Sequence, residues 1–307
     1  MVEKLALIIV CLMVGIIIKQ LHPKAEFFSV HLNKYVIWIA YPALVLIKIP
    51  QLLSDPQLSL HKLIPFSMPV LHFILAYLAV QLLAPRFGLS RSETGALILT
   101  VGLGNTSFVG FPLTEAYFGE PGLKTALLID QGTFFSMAFL GITTAARFSG
   151  KSLSITEVLV RVLAFPPFIA LFIAAGLTFT KHSGLLDLPI LKLLSFTLAP
   201  VALVSIGLRL KGSLGHIHKN TNPLILGLTL KLFVLPAVLS ALYWYWLHDD
   251  QVARVVAVEA AMAPMITAAI IAEQYHLKRD ISQLMVGVGI PVSLITTFAW
   301  QLLVKSF

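Results

Sequence analysis

The chain has 307 residues, 58% of them hydrophobic and only 12% charged, with a mean hydropathy of +0.90. That balance excludes a water-soluble domain and identifies a polytopic membrane protein, because runs of about 20 apolar residues are transmembrane segments. The net charge of +8 does not point to nucleic acid, since the basic residues sit in short loops between apolar runs, where they set topology.

In chain order the sequence predicts ten transmembrane helices, at about 5–21, 32–50, 61–84, 92–118, 122–146, 158–180, 188–210, 222–247, 251–275 and 281–304. The first run, MVEKLALIIVCLMVGIIIKQL, has no small-x-small cleavage site, and it is read as a helix rather than a signal peptide. The lone Cys11 lies in it and forms no intrachain disulfide. The loops are short, and the longest spans only 147–157. The chain is therefore one membrane domain made of two halves, 1–150 and 151–307, with no linker. Loops after odd-numbered helices carry twelve Lys and Arg, against eight on the other side. This bias puts both termini outside the inner (plasma) membrane. Trp38, Trp244, Trp246 and Trp300 fall near helix ends, as interfacial anchors do.

The fourth helix contains GLGNTSFVGFPLTEAYFG (102–119). Pro112 removes a backbone donor and the glycines permit irregular angles. At membrane depth such a backbone must line protein or a wet cavity, so the stretch reads as a broken helix, with a proline-kinked packing helix as the plainer alternative. The ninth helix, VEAAMAPMITAAI, carries a second candidate break at Pro264. Helix two (IAYPALVLIKI, Pro42) and helix seven (TLAPVALVSIGL, Pro200) match in the same order. Repeats of five helices enter from opposite faces. The expected fold is thus all-α, with two inverted five-helix repeats whose broken helices four and nine cross at the site.

The candidate chemistry clusters at those breaks. Asn105, Thr106 and Ser107 form a polar group in helix four. A half-helix N-terminus there suits an anion, and the Asn105 amide adds donors. Interhelical hydrogen bonding is the plainer role and is favoured for Ser107. Gly104, Pro112, Met262 and Pro264 complete the candidate substrate-binding set. Asp130, Glu259 and Lys231 are ionisable residues inside apolar runs and are candidates for coupling. As a carboxylate, Glu259 either carries a proton or joins Asn105 and Thr106 as a sodium ligand. Glu115 lies close enough to the outer end to reach water, and Arg161 snorkels to an interface. His216 and His218 are too few for a metal site. No cofactor is expected.

NTSFVGFPLTEAYFG resembles the fourth-helix motif of the auxin efflux carrier family, N-T-x-x-x-G-x-P-L with a downstream aromatic-glycine pair. VVAVEAAMAPMITAAIIAEQYHLKRDISQLMVGVGIP is similar to that family's ninth and tenth helices, including Tyr275, Asp280-Ile281 and Gly287. The family includes plant PIN carriers and bacterial permeases for small organic acids. The resemblance implies ten helices in an inverted repeat, a scaffold and a transport subdomain, and a substrate carboxylate at the crossing contacted by Asn105. Pro112 and Pro264 are the nearest matches to the crossover prolines, with Pro264 one place later than in the plant carriers. Glu259 stands where plant carriers often have glutamine, and the long cytosolic loop of many plant carriers is missing here. The architecture is also similar to that of bile acid–sodium symporters, whose ninth-helix glutamate binds sodium. The function expected is therefore a secondary transporter of small organic anions, coupled to protons or sodium. The alternatives are an uncoupled efflux carrier or uniporter and a bile-acid-type symporter; an intramembrane enzyme or channel ranks behind these. The expected partners are a small carboxylate and the bilayer, with no nucleic acid and with a homodimer left open.

Overall fold

The computed structural model describes residues 2–54, 60–150, 156, 160, 163–209, 221–246 and 249–305. Among the described residues the fold is all-helical, and the one β-type pairing is an isolated antiparallel bridge. Helix is what lipid demands, because it satisfies every backbone group within the segment. Six helical runs are long and apolar enough to cross a membrane, and two shorter apolar helices accompany them. Arg161, His216 and His218 lie outside the described residues.

Helix α1 is Val2–Leu21. Helices α2 (Glu26–Tyr35) and α3 (Tyr41–Leu53) join through a π turn at Val36–Ala40. A 3-10 stretch, Leu60–Ser67, leads into α4 (Met68–Leu83). Helix α5 (Arg91–Gly102) starts on a capping box, in which the Ser90 side chain accepts from Glu93 N–H and the Glu93 side chain accepts from Ser90 N–H. Helix α6 (Phe111–Ser136) bends at Gly119, whose φ of 70° is open to glycine and strained for other residues. Helix α7 (Ile142–Ser149) ends on left-handed Gly150. Then come α8 (Pro166–Phe179), α9 (Pro189–Arg209), α10 (Thr221–Thr229) and α11 (Leu235–Trp246). The last are α12 (Asp250–Ala260), capped by Asp249, then α13 (Ile266–Gln274) and α14 (Arg279–Lys305).

One local pattern recurs. The π turns Val36–Ala40, Thr106–Gly110 and Leu230–Val234 each end two residues before a proline: Pro42, Pro112 and Pro236. Proline cannot donate to the carbonyl four residues back. A wider turn resets the hydrogen-bond register, so the helix passes the proline without stopping.

The helices pack in two sets. Helix α1 packs on α9, α3 on α8, and α9 also on α2 and α3. Gly15 and Gly207 let α1 and α9 meet backbone to backbone: a Cβ on Gly15 would lie 2.8 Å from the Gly207 Cα. In the other set α5 packs on α4 and α7, and α12 packs on α6, α11 and α14. Large apolar side chains such as Phe172, Phe196 and Ile295 remain exposed on the outside, as a surface solvated by lipid requires.

Candidate functional site

The two sets of helices surround a point where the chain unwinds twice. Helix α5 stops at Gly102 and the backbone is irregular through Asn105. Helix α12 stops at Ala260 and is irregular through Met265. The two unwound strands lie antiparallel, with Gly104 opposite Pro264. Asn105 N–H donates to the Ala263 carbonyl at 2.8 Å, and Met265 N–H donates to the Leu103 carbonyl at 2.9 Å. These bonds flank the Gly104–Pro264 pair, which is therefore a non-hydrogen-bonded position of the ladder. Proline is tolerated there because its missing N–H has no partner to serve. The backbone groups freed by two broken helices satisfy one another, as burial demands.

The first break thus centres on Gly104, not on Pro112. Pro112 is buried at the second residue of α6, behind the π turn at Thr106–Gly110. Its missing donor is absorbed by that turn, so the proline does not create the unwound segment. Pro264 does sit in the second unwound strand, packed on Gly289, where a Cβ would lie 2.6 Å from its Cδ. Met262 is fully buried in the same strand.

Asn105 is the hinge of the site. Its side-chain oxygen accepts from Phe108 N–H at 3.2 Å and caps the half-helix that begins at Thr106. Its side-chain nitrogen is buried and has no hydrogen-bond partner. An unpartnered buried donor beside a helix N-terminus is a place for an anion. Thr106 faces elsewhere: its hydroxyl donates to Asp130 and lies 3.1 Å from the Thr133 hydroxyl. Ser107 is buried.

The structure brings the three ionisable residues of the apolar runs to the crossing. Glu259, in the last turn of α12, accepts from the Thr114 hydroxyl of α6 at 2.6 Å. Its other oxygen has no partner. Both oxygens fill the hollow left by Gly110, where a Cβ would lie 2.6 and 2.9 Å from them. Asp130 likewise keeps one buried oxygen unpartnered. Lys231, fully buried in the π turn between α10 and α11, donates to the Ala260 carbonyl at 3.3 Å and meets His72 Nε2 at 3.3 Å. A Cβ on Gly104 would lie 3.2 Å from its ammonium. Glu259 is within electrostatic reach of both Asp130 and Lys231, but among the described residues it forms no ion pair with Lys231. Alanine at Gly110 will displace the Glu259 carboxylate. Overpacking of this kind costs about 1–3 kcal/mol, and thermal unfolding of Gly110→Ala in detergent measures it. An unchanged melting temperature would mean that the carboxylate has another place to go.

Several residues of the site lack a motif signal. His72 is buried in α4, holds Lys231 and contacts the Val101 backbone beside the end of α5. Thr114 seats Glu259 together with Gly110, which is itself the glycine of the fourth-helix motif. Tyr41 of α3 joins the site from the other helix set: its hydroxyl accepts from Gln131 at 3.0 Å and its ring packs edge-on to Phe111. Glu115 is half-buried. Trp300 donates to the Leu232 carbonyl at 2.9 Å, in the π turn next to Lys231.

A multi-pass helical bundle with two unwound, mutually paired segments and buried ionisable residues around them has the build of a membrane-embedded transport protein, and the family match makes it a transport protein rather than an enzyme. The family model described as membrane transport protein matches residues 19–152 and 151–301. The chain belongs to that family, the one that the resemblance to auxin efflux carriers pointed to. It is 31% identical over 199 residues to an uncharacterized transporter of Methanocaldococcus jannaschii, covering 63% of this chain and 62% of that one. It is 26% identical over 307 residues to an uncharacterized transporter of Methanothermobacter thermautotrophicus, covering 97% of each.

Proposed function

We propose that the protein is a secondary transporter of small organic anions, carboxylates above all, working by alternating access. The observation that carries this reading is the buried, unpartnered Asn105 side-chain nitrogen at the start of a half-helix, beside the crossing of two unwound segments. The half-helix amides and this donor suit a carboxylate. Gly104, Pro112, Met262 and Pro264 shape the seat, with Thr106 behind it.

Ten transmembrane helices in two inverted repeats, 1–150 and 151–307, fit this reading. The helical run Thr106–Ser149 has 44 residues, about 66 Å of helix and twice the depth of the hydrocarbon core. It serves best as two crossings that turn at Gly119. Helices α1, α2–α3, α8 and α9 are then the scaffold, and the other set moves against it. The charge bias of the loops supports termini outside the inner membrane.

Coupling falls to Glu259 and Asp130, each with a buried oxygen that lacks a partner. Lys231 is held by His72 and a backbone carbonyl instead of by Glu259, so it leaves these acids to a mobile cation. Protons suit the pair better than sodium. The sodium set Glu259, Asn105 and Thr106 offers a side-chain oxygen and a hydroxyl already engaged with Phe108 and Asp130, whereas a proton needs a single oxygen. An uncoupled carrier is the second reading, supported by Lys231 as a buried amine at the crossing that an anionic substrate can meet.

Purified protein in proteoliposomes tests the proposal against a panel of mono- and dicarboxylates. Saturable uptake of at least one is expected. Steady ion conductance without saturable uptake would replace the transporter with a channel.

A further inference from the structure

A groove of about 290 Å³ opens on the side of the bundle, and none of the crossing's polar residues lines it. Phe73, Ile74, Tyr77 and Leu78 of α4 form one wall, and the chain from Leu140 to Arg147 forms the other. The π turn at Met137–Gly141 opens that second wall. The walls are mainly apolar, and Ile74 and Leu78 are exposed where lipid lies; Thr143 and Thr144 add hydroxyls to the second wall, and the exposed Thr143 spends its own on the Phe139 and Leu140 carbonyls. The charge is confined to one end. Arg147 lines the groove there, and the Arg91 guanidinium donates to the Arg147 carbonyl, which puts a second guanidinium close by. Tyr77 is steadied at the same end by an edge contact with Phe148 and by a hydrogen bond from Gln81 at 3.3 Å.

Leu140 and Arg147 are seven positions apart, about 10 Å of helix. One leaflet's share of the hydrocarbon core is about 15 Å. The groove therefore has an apolar length on the scale of an acyl chain, closed at one end by guanidinium. Guanidinium pairs with phosphate oxygens through parallel hydrogen bonds. We propose that this groove is a binding site for an anionic phospholipid. One acyl chain lies between α4 and α7 and the phosphate sits on Arg147, with Arg91 as the neighbouring cation. The site is joined to the crossing by Phe73, which forms the inner end of the groove and also fills the space at Gly102, where a Cβ would lie 2.7 Å from its ring. A bound chain thus presses on the ring that seats the end of α5, one residue from His72.

The inference does not rest on the substrate assigned above, and its test uses no transport assay. Delipidated, purified full-length protein is titrated with phosphatidylglycerol and with phosphatidylcholine, and bound lipid is counted by native mass spectrometry alongside the melting temperature. Wild type is expected to retain one phosphatidylglycerol in preference to phosphatidylcholine and to melt higher with it. R147Q is expected to bind phosphatidylglycerol about tenfold or more weakly. T143F fills the groove from its exposed side, keeps both arginines, and is expected to lose the same lipid. Equal retention of the two lipids by wild type would overturn the proposal, reducing the groove to ordinary boundary lipid. So would undiminished phosphatidylglycerol binding by either variant.

Discussion

Replacing Asn105 by serine will lower the affinity for a transported carboxylate about tenfold or more while leaving the protein folded. Asn105 does two things with two ends of one amide. Its oxygen caps the half-helix at Phe108 N–H, and its nitrogen is the buried donor without a partner. Serine retains a capping oxygen of good helix-starting character and removes the nitrogen. A donor lost to a charged acceptor costs about 1.5–3 kcal/mol, which is about one to two powers of ten in affinity. Alanine removes cap and donor together, so Asn105→Ala is expected to lose the same binding and about 1 kcal/mol of stability besides. Binding by both variants, set against their melting temperatures, separates the roles. Wild-type affinity in Asn105→Ser would remove the amide nitrogen from the site.

Much of this site was legible because membranes make polarity conspicuous. Asp130, Lys231 and Glu259 stand out from apolar runs, and the chain folds to bring all three to one crossing. The same argument applies to His72 in FSMPVLHFILAYL, but a lone histidine is a weak signal. Its partner Lys231 is 159 residues away, and nothing in either local sequence joins them. The position of the first break was misleading for a physical reason. Proline is the strongest breaker in a helix interior, so the sequence points to Pro112. A π turn meets that demand locally, and the true unwinding falls at Leu103–Asn105, where the strand from the other half supplies the backbone partners. That pairing is a matter of register between distant segments. A glycine opposite a proline across a non-hydrogen-bonded position has no one-dimensional signature. The roles of Thr114 and Gly110 were hidden similarly, although Gly110 is the glycine of the fourth-helix motif: one hydroxyl and one missing side chain acquire meaning only after Glu259 arrives between them.

Glu259→Gln will keep substrate exchange and lose gradient-driven accumulation. A carboxylate buried at membrane depth is costly unless it is paired, protonated or bound to a cation. The nearby base does not pair with it. Lys231 spends its hydrogen bonds on Ala260 and His72, and Glu259 meets Thr114 through one oxygen while the other has no partner. On the proposed coupling role, the acid is left to a proton or a small cation that comes and goes with the transport cycle. Glutamine has the shape of the protonated acid. Its oxygen can still accept from Thr114, and its amide fills the hollow at Gly110 without a charge. The folded bundle and the Asn105 seat should therefore persist, and counterflow of labelled substrate across proteoliposomes should continue. The variant has no titratable or ligating carboxylate at 259, so an imposed proton or sodium gradient will no longer concentrate substrate. Asp130→Asn is the companion measurement, because Asp130 holds the second unpartnered oxygen beside Thr106. Loss of accumulation in both variants assigns the pair as one coupling site. Accumulation at the wild-type level in Glu259→Gln would show that Glu259 is not the coupling residue. Counterflow abolished along with accumulation would instead make Glu259 a structural tie between α12 and α6.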